Sequence, residues 1–237
     1  MNQSDQRSLR SSATSAGADS AIGGRHPTPS TRPTSRYRGR IDWSIFHALN
    51  GQLRGDDAAQ DAAEIYNAWA IFALVGVAAL TWFLARPGGS LRSKLAAASA
   101  GISAVVALLV NAVLGHLWYH ARPFADHPKQ TLLLVHHGAD NSFPSDHASV
   151  AFAVAFAVLV FHRRLGVLLL AVAVGVGLDR IFVGVHYPID VLTSVFVGLG
   201  AALVVTLPGR PYVAWFVRLI SRITDPVVLA VRRRAGR

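Results

Sequence analysis

The chain contains no cysteine. Disulfide scaffolds, zinc–thiolate sites and thiol nucleophiles are therefore excluded, and any catalysis must rest on other side chains. Charge is the second scarcity. Only 15% of the 237 residues are charged, against about 25% in a soluble globular domain. Apolar residues take their place, at 52% of the chain with a mean hydropathy of +0.37. So little charge does not keep a compact surface wet, and the composition favours a small membrane bundle over one soluble domain. The net charge is nevertheless +10. Its basic residues lie in tails and in short loops between apolar runs, without aromatic interleaving, which is the pattern of a membrane protein and not of a nucleic-acid surface. The first apolar segment lies far from Met1, so no cleavable signal peptide is expected.

Residues 1–40 are rich in Ser, Thr, Arg, Gly and Pro and lack apolar periodicity. They bury too little apolar surface to offset ordering entropy, which predicts a disordered basic tail. Ile41, Ile45, Phe46, Leu49 and Leu53 then recur at helical spacing in a stretch too short to span, the pattern of an interfacial amphipathic helix. Apolar runs free of charge follow at 65–85, 95–121, 148–161, 165–178 and 191–209. The third and fourth fall below the roughly 20 residues a membrane span needs, which predicts a helical hairpin buried among the other helices. The expected fold is all-α, a polytopic membrane helix bundle of about five transmembrane helices plus an N-terminal interfacial helix. Its expected divisions are the tail over 1–40, a membrane-embedded domain over 41–209, and a basic, partly amphipathic tail over 210–237.

Charge placement orients such a bundle. Arg86, Arg92 and Lys94 precede the second run, Arg163 and Arg164 join the third and fourth, and Arg210, Arg218, Arg222, Arg232, Arg233, Arg234 and Arg237 follow the last. The positive-inside rule puts these clusters in the cytoplasm, and the loop at 116–147 and the turn at 179–190 on the extracytoplasmic face. The same count of crossings places the Arg-rich N-terminal tail outside, against the rule, unless the 41–62 segment re-enters or crosses.

Of the ten histidines, His116, His120, His127, His136, His137, His147 and His186 fall on the extracytoplasmic side. Arg122 and Arg180 stand there at the edges of apolar runs, where an unpaired charge is costly unless it snorkels to the headgroups. Three local patterns favour a site over snorkelling. In Phe143-Pro144-Ser145-Asp146-His147, directly before an apolar run, Ser145 is a good N-cap, and a helix N-terminus suits a phosphate. Ser145 could be a cap alone, but an interfacial His147 gains little from a structural role. His186 and Asp190 are four apart with Pro188 between them, fitting a helix that starts there. A carboxylate at that spacing can hold one imidazole nitrogen and leave the other as a nucleophile. Arg122-Pro123-Phe124 completes the set, since two arginines form a permanent clamp for a phosphoryl group.

Read in order, these segments resemble the type 2 phosphatidic acid phosphatase superfamily. Its motifs are a Lys with a downstream Arg-Pro, Pro-Ser-Gly-His, and Ser-Arg with a downstream His and Asp. The resemblance is carried by Ala121-Arg122-Pro123-Phe124, by the stretch from His137 to His147 and by the stretch from Arg180 to Val191. It is strongest to the bacterial undecaprenyl-diphosphate phosphatase branch, of the bacitracin-resistance type, which the Ile45-to-Gly51 segment also resembles. The resemblance implies that His186 attacks phosphorus, Asp190 orients it, and His147 protonates the leaving oxygen and then activates water. It implies that Arg122, Ser145 and Arg180 hold the phosphoryl oxygens. The chain departs from the family pattern at three positions. Gly115 stands where the motif Lys falls, with His116, His120 or Lys129 as candidate replacements. Asp146 stands for Gly, and Asp179 for the Ser before Arg180.

The resemblance implies a membrane enzyme, a metal-independent phosphoric anhydride hydrolase of a polyprenyl diphosphate, with no cofactor, in the plasma membrane. It would recycle the lipid carrier of peptidoglycan synthesis. Its partners would be the lipid substrate and the bilayer, with no nucleic acid. One rival is a phosphatase of phosphatidylglycerophosphate, phosphatidic acid or a lipid-linked sugar phosphate. A metal site at His136, His137 and Asp140 is another, although adjacent loop histidines rarely point at one ion. A lipid-binding permease subunit is the rival of another class, but no inverted repeat or pair of broken helices accompanies the polar residues.

Overall fold

A computed structural model describes residues 40–85 and 91–235. The tail expected over 1–40 lies outside the described residues apart from Arg40, as does Arg86. Among the described residues every regular element is helical. They are α1 (Arg40–Asn50), extended by a 3₁₀ turn at Gly51–Leu53, α2 (Asp57–Leu84), α3 (Arg92–Leu117), the short α4 (Pro123–Asp126), α5 (Asp146–Phe161), α6 (Arg163–Phe182), α7 (Pro188–Thr206) and α8 (Arg210–Ala235). α2, α3, α6 and α7 are each long and apolar enough to cross a membrane.

Helix α5 is the axis of the bundle, packed against α3, α6 and α7 and also touching α2. The run Ala151–Ala155 is buried on every face, as expected for a helix apolar all round. Its 16 residues span about 24 Å. A helix enclosed by protein need not match the thickness of the hydrocarbon, which is why so short a run suffices. Glycine permits the closest approach: a Cβ on Gly198 of α7 would lie 2.7 Å from both Ala153 N and Phe152 Cβ. Around this axis the outer helices turn apolar side chains outward, among them Phe72 and Leu80 of α2, Val105 and Leu109 of α3, Leu168 and Val174 of α6, and Phe196 and Val204 of α7. Exposed apolar surface on that scale belongs against lipid.

Two expectations need correcting. The hairpin expected to be buried whole is buried only in its first arm. α6 runs 20 residues, through Asp179 and Arg180 to Phe182, because hydrophobicity ends at a charged residue while backbone hydrogen bonding does not. It therefore reaches spanning length and leaves an apolar face outside. The second run ends early, at Leu117, where Trp118 becomes extended and the chain peels away toward the site.

The chain ends of α3 and α6 and the starts of α5 and α7 meet at one end of the bundle. α1 lies across that same end and does not cross. Asn50 donates to Leu132 O and Phe182 O at 2.8 Å each, and Phe46 is buried against Tyr187 and Ile181. At the opposite end Val213 and Val217 of α8 pack with Leu95, Ala96 and Val205. There Lys94 donates to Ser221 at 3.0 Å and pairs with Asp225.

Candidate active site

The turn between α6 and α7 builds the centre of the site. Gly184 has φ +87°, and a Cβ there would stand 2.3 Å from Leu132 O. Glycine thus permits both the left-handed residue and the close crossing of the loop. Pro188 opens α7, and the Asp190 carboxylate folds back to accept from Tyr187 N–H at 2.9 Å. Asp190 therefore caps the helix with the side chain that also faces the histidines.

His186 is buried, and its two nitrogens are chemically distinct. Nδ1 lies 2.8 Å from Ser142 O. A carbonyl only accepts, so Nδ1 carries the proton and Nε2 keeps its lone pair. Arg122 NH1 donates toward that Nε2 at 3.3 Å. Burial, with the nearby positive charges of Arg180 and Arg122, pushes the imidazole down to about 4 despite the opposing influence of Asp190, so at neutral pH it is an uncharged base. The Asp190 carboxylate is 3.7 Å from His186 Nδ1, beyond hydrogen-bond reach. Ser142 bridges the gap: its Oγ donates to Asp190 Oδ2 at 2.6 Å and lies 3.2 Å from His186 Nδ1. The other carboxylate oxygen accepts from His120 Nδ1 at 2.7 Å.

Arg122 is buried in the loop just before α4. Its guanidinium donates to Val185 O at 3.0 Å, to Asn141 O at 3.3 Å and to the Asp140 carboxylate at 2.8 Å. Asp140 is exposed at the rim, and although desolvation works against its ionisation, the bond to Arg122 and the charge of Arg122 hold its carboxyl below the usual range. An anionic oxygen thus already sits on the guanidinium. Arg180 donates through Nη1 to Asn67 of α2, while its buried Nε has no partner among the described residues. Ser145 precedes α5, but its hydroxyl makes no capping bond; Oγ is buried and also lacks a partner among the described residues. Its backbone N–H donates to Ser194 Oγ at 3.0 Å, which ties the start of α5 to α7 one turn beyond Asp190. These two buried polar groups are open to a water or a ligand. His147 lines a small cavity with Arg180, Asp179, Asn67 and Tyr66, within electrostatic reach of Arg180 and His186.

The six residues picked from the sequence thus gather at one end of the bundle, with His186, Asp190 and Arg122 in a single hydrogen-bonded network and Arg180, Ser145 and His147 beside it. Asp146 is turned to α3, where Asn111 donates to it at 2.8 Å. Asp179 faces the α2 cavity and forms no ion pair with Arg180 among the described residues. His137 is 3.7 Å from the Asp140 oxygen that Arg122 holds. Among the described residues no three histidine or carboxylate side chains converge as metal ligands. Sequence reasoning passed over Ser142, Asn67 and Ser194. Ser142 lies inside the motif stretch, yet it reaches His186 across 44 positions, and no local pattern signals that.

The chain is similar to proteins of known family. The PAP2 superfamily profile matches residues 96–209. The chain is 31% identical over 159 residues to the undecaprenyl-diphosphatase BcrC of Bacillus subtilis, covering 67% of this chain and 79% of that protein. It is 35% identical over 139 residues to a Bacillus licheniformis protein named bacitracin transport permease protein BcrC, covering 58% and 68%. Its fold is similar to the crystal structure of LpxE from Aquifex aeolicus, with a TM-score of 0.58, 19% identity, and coverage of 70% of this chain and 95% of that one.

Proposed function

This chain belongs to the PAP2 superfamily, and we propose that it hydrolyses an undecaprenyl-type polyprenyl diphosphate to the monophosphate and free phosphate through a phosphohistidine. It is a multi-pass membrane phosphatase similar to undecaprenyl-diphosphatases. The observation that carries the mechanism is the state of His186: Nδ1–H is committed to a carbonyl, and Nε2 is left as a lone pair beside the Arg122 guanidinium.

In the reaction Nε2 attacks the terminal phosphorus, and the bond from phosphorus to the bridging oxygen breaks. His147, which takes up a proton as the anionic diphosphate binds, gives it to that oxygen, releasing the lipid monophosphate. It then takes a proton from water as the water oxygen attacks phosphorus, which breaks the N–P bond and restores His186. Positive charge accumulates on the imidazole as it attacks, and Asp190 counters it through Ser142 while keeping the tautomer. Arg122, with Arg180 Nε and Ser145 Oγ, holds the equatorial oxygens once phosphate displaces Asp140. None of these steps requires a metal. The reading as a recycler of the lipid carrier places the protein in the plasma membrane, and the positive-inside rule then puts the site on the extracytoplasmic face and the basic ends of the helices in the cytoplasm. The domain over 41–209 would be embedded, with the 210–237 segment at the cytoplasmic face.

The test is phosphate release from a polyprenyl diphosphate, phosphatidic acid and phosphatidylglycerophosphate side by side, with chelator present and His186→Ala as control. Preference for the diphosphate, abolished in the variant, is the expected result. Preference for a glycerolipid moves the protein into phospholipid metabolism with the mechanism intact. Release that needs added metal overturns the metal-independent reading. Absence of release from all three reopens the permease reading that the name of the Bacillus licheniformis relative carries.

A further inference from the structure

A terminal monophosphate brings about two negative charges at neutral pH, and a diphosphate adds the charge of its second phosphate. The permanent cations of the site are Arg122 and Arg180. The position of the superfamily lysine is Gly115, where the space is tight: a Cβ would stand 3.2 Å from Asn141 Nδ2 and from Phe143 O. Asn141 fills the space itself, donating to Gly115 O at 2.7 Å and Trp118 O at 2.9 Å. Gly115 and His116 line a separate cavity on the side of Asn111 and Asp146, and Lys129 is exposed on the loop.

His120 is placed differently. Its Nδ1 donates to Asp190 at 2.7 Å, its ring packs on Tyr187 with centroids 4.9 Å apart, and Asn141 Oδ1 accepts from its backbone N–H at 2.9 Å. Nε2 has no hydrogen-bond partner among the described residues. The ring forms the polar end of a groove of about 540 Å³ between α3 and α7, otherwise lined by Leu114, Trp118, Tyr119, Phe143, Ile189 and Thr193. Trp118, Tyr119 and Ile189 are exposed, so the groove opens on the outer surface of the bundle, where lipid lies.

We propose that His120 holds the second phosphate of the substrate, the one that leaves on the lipid, and that the first isoprene units of the chain lie in the α3–α7 groove beside it. The proposal rests on the phosphatase reading and adds the residue that separates a diphosphate from a monophosphate. One carboxylate serves two imidazoles. Oδ2 works through Ser142 on the nucleophile, and Oδ1 holds His120 by Nδ1, so that Nε2 is the nitrogen left for the ligand and becomes a donor when the ring is protonated. Burial opposes the charged form of His120, but the bond to Asp190 and the charges of Asp190, Asp42 and Asp126 outweigh it and raise its pKa. A charged imidazole at the mouth of an apolar groove fits a phosphate on an isoprenoid chain, with the anion on the ring and the hydrocarbon against Leu114, Phe143 and Ile189.

Wild type, His120→Gln and His120→Lys are assayed on a polyprenyl diphosphate and on phosphatidic acid, with inorganic pyrophosphate and inorganic phosphate as inhibitors. In His120→Gln, kcat/KM on the diphosphate is expected to fall at least about tenfold, the effect of one charge-assisted hydrogen bond. The loss on phosphatidic acid should be smaller, so that the ratio of the two values falls at least about threefold, and inhibition by pyrophosphate should weaken more than that by phosphate. His120→Lys should recover preference for the diphosphate by restoring the charge. Equal losses on both substrates, with both inhibitors weakened alike, would show that His120 only supports Asp190 and would overturn the proposal. So would an unchanged substrate ratio in a folded His120→Gln. A wild type inactive on the diphosphate but active on phosphatidic acid would overturn the function reading first, and this inference with it.

Discussion

His186 acts as a nucleophile only if one nitrogen is protonated and fixed while the other is bare, and Ser142 and Arg122 set those two conditions from opposite sides. The expected consequence is a histidine that stays neutral far into acid. In a titration of the ¹⁵N-labelled protein, the resonance that disappears in His186→Ala should titrate near pH 4, not near the free imidazole value of about 6.5. The sign follows from burial. Between those two values the unfolded chain binds the proton and the folded site does not, so this group lowers stability as pH falls through that window. A midpoint near 6.5 would mean a hydrated ring without Arg122 beside it. That Asp190 stands beside His186 was legible from a spacing of four and the proline between them, but the direct bond expected from that spacing is replaced by Ser142, since the two lie 3.7 Å apart. The part played by Ser142 was not legible. Spacing reports neighbours on one helix, whereas the 2.6 Å and 2.8 Å bonds of Ser142 depend on where the chain re-enters from another loop.

Helices in this bundle are positioned by how closely backbones approach, because lipid supplies little drive for helices to associate. α7 carries Asp190 and Ser194, α5 follows Ser145, and Gly198 lets the two touch. Gly198→Val should cost about 1–3 kcal/mol by overpacking and reduce phosphatase activity by parting Ser145 from the α7 side of the site. Thermal denaturation of the detergent-solubilised protein, with the assay run below the transition, checks both. An unchanged melting temperature would show that α5 and α7 sit farther apart. Element existence was legible in the apolar runs, and the start of α7 could be read from Pro188. The length of α6 was not, because Arg180 looks like a boundary to any hydropathy argument. It lies inside the last turn because Asn67, on another helix, receives its guanidinium.

The bundle is polar along its axis: the site, with His120, His137, His147 and His186, lies at one end, and Arg92, His162, Arg163, Arg164 and Arg210 lie at the other. With no native cysteine, single substitutions report sidedness without background. His137→Cys should react with an impermeant maleimide added outside intact cells, and Arg164→Cys only after the membrane is opened. Labelling of both from the same side would sink the proposed orientation. The sequence by itself determined that the chain is a membrane bundle, which residue types are the candidates for the chemistry, and the order in which they occur. Hydrophobicity, charge asymmetry and short-range spacing are local quantities written along the chain. Only the tertiary structure decided that α5 is the enclosed axis, that α1 closes over the site end, that Asn141 occupies the space beside Gly115, and that Asp190 divides its two oxygens between Ser142 and His120. Each of those rests on distances between residues far apart in sequence, set by how five helices and the loop at 118–145 pack around one another.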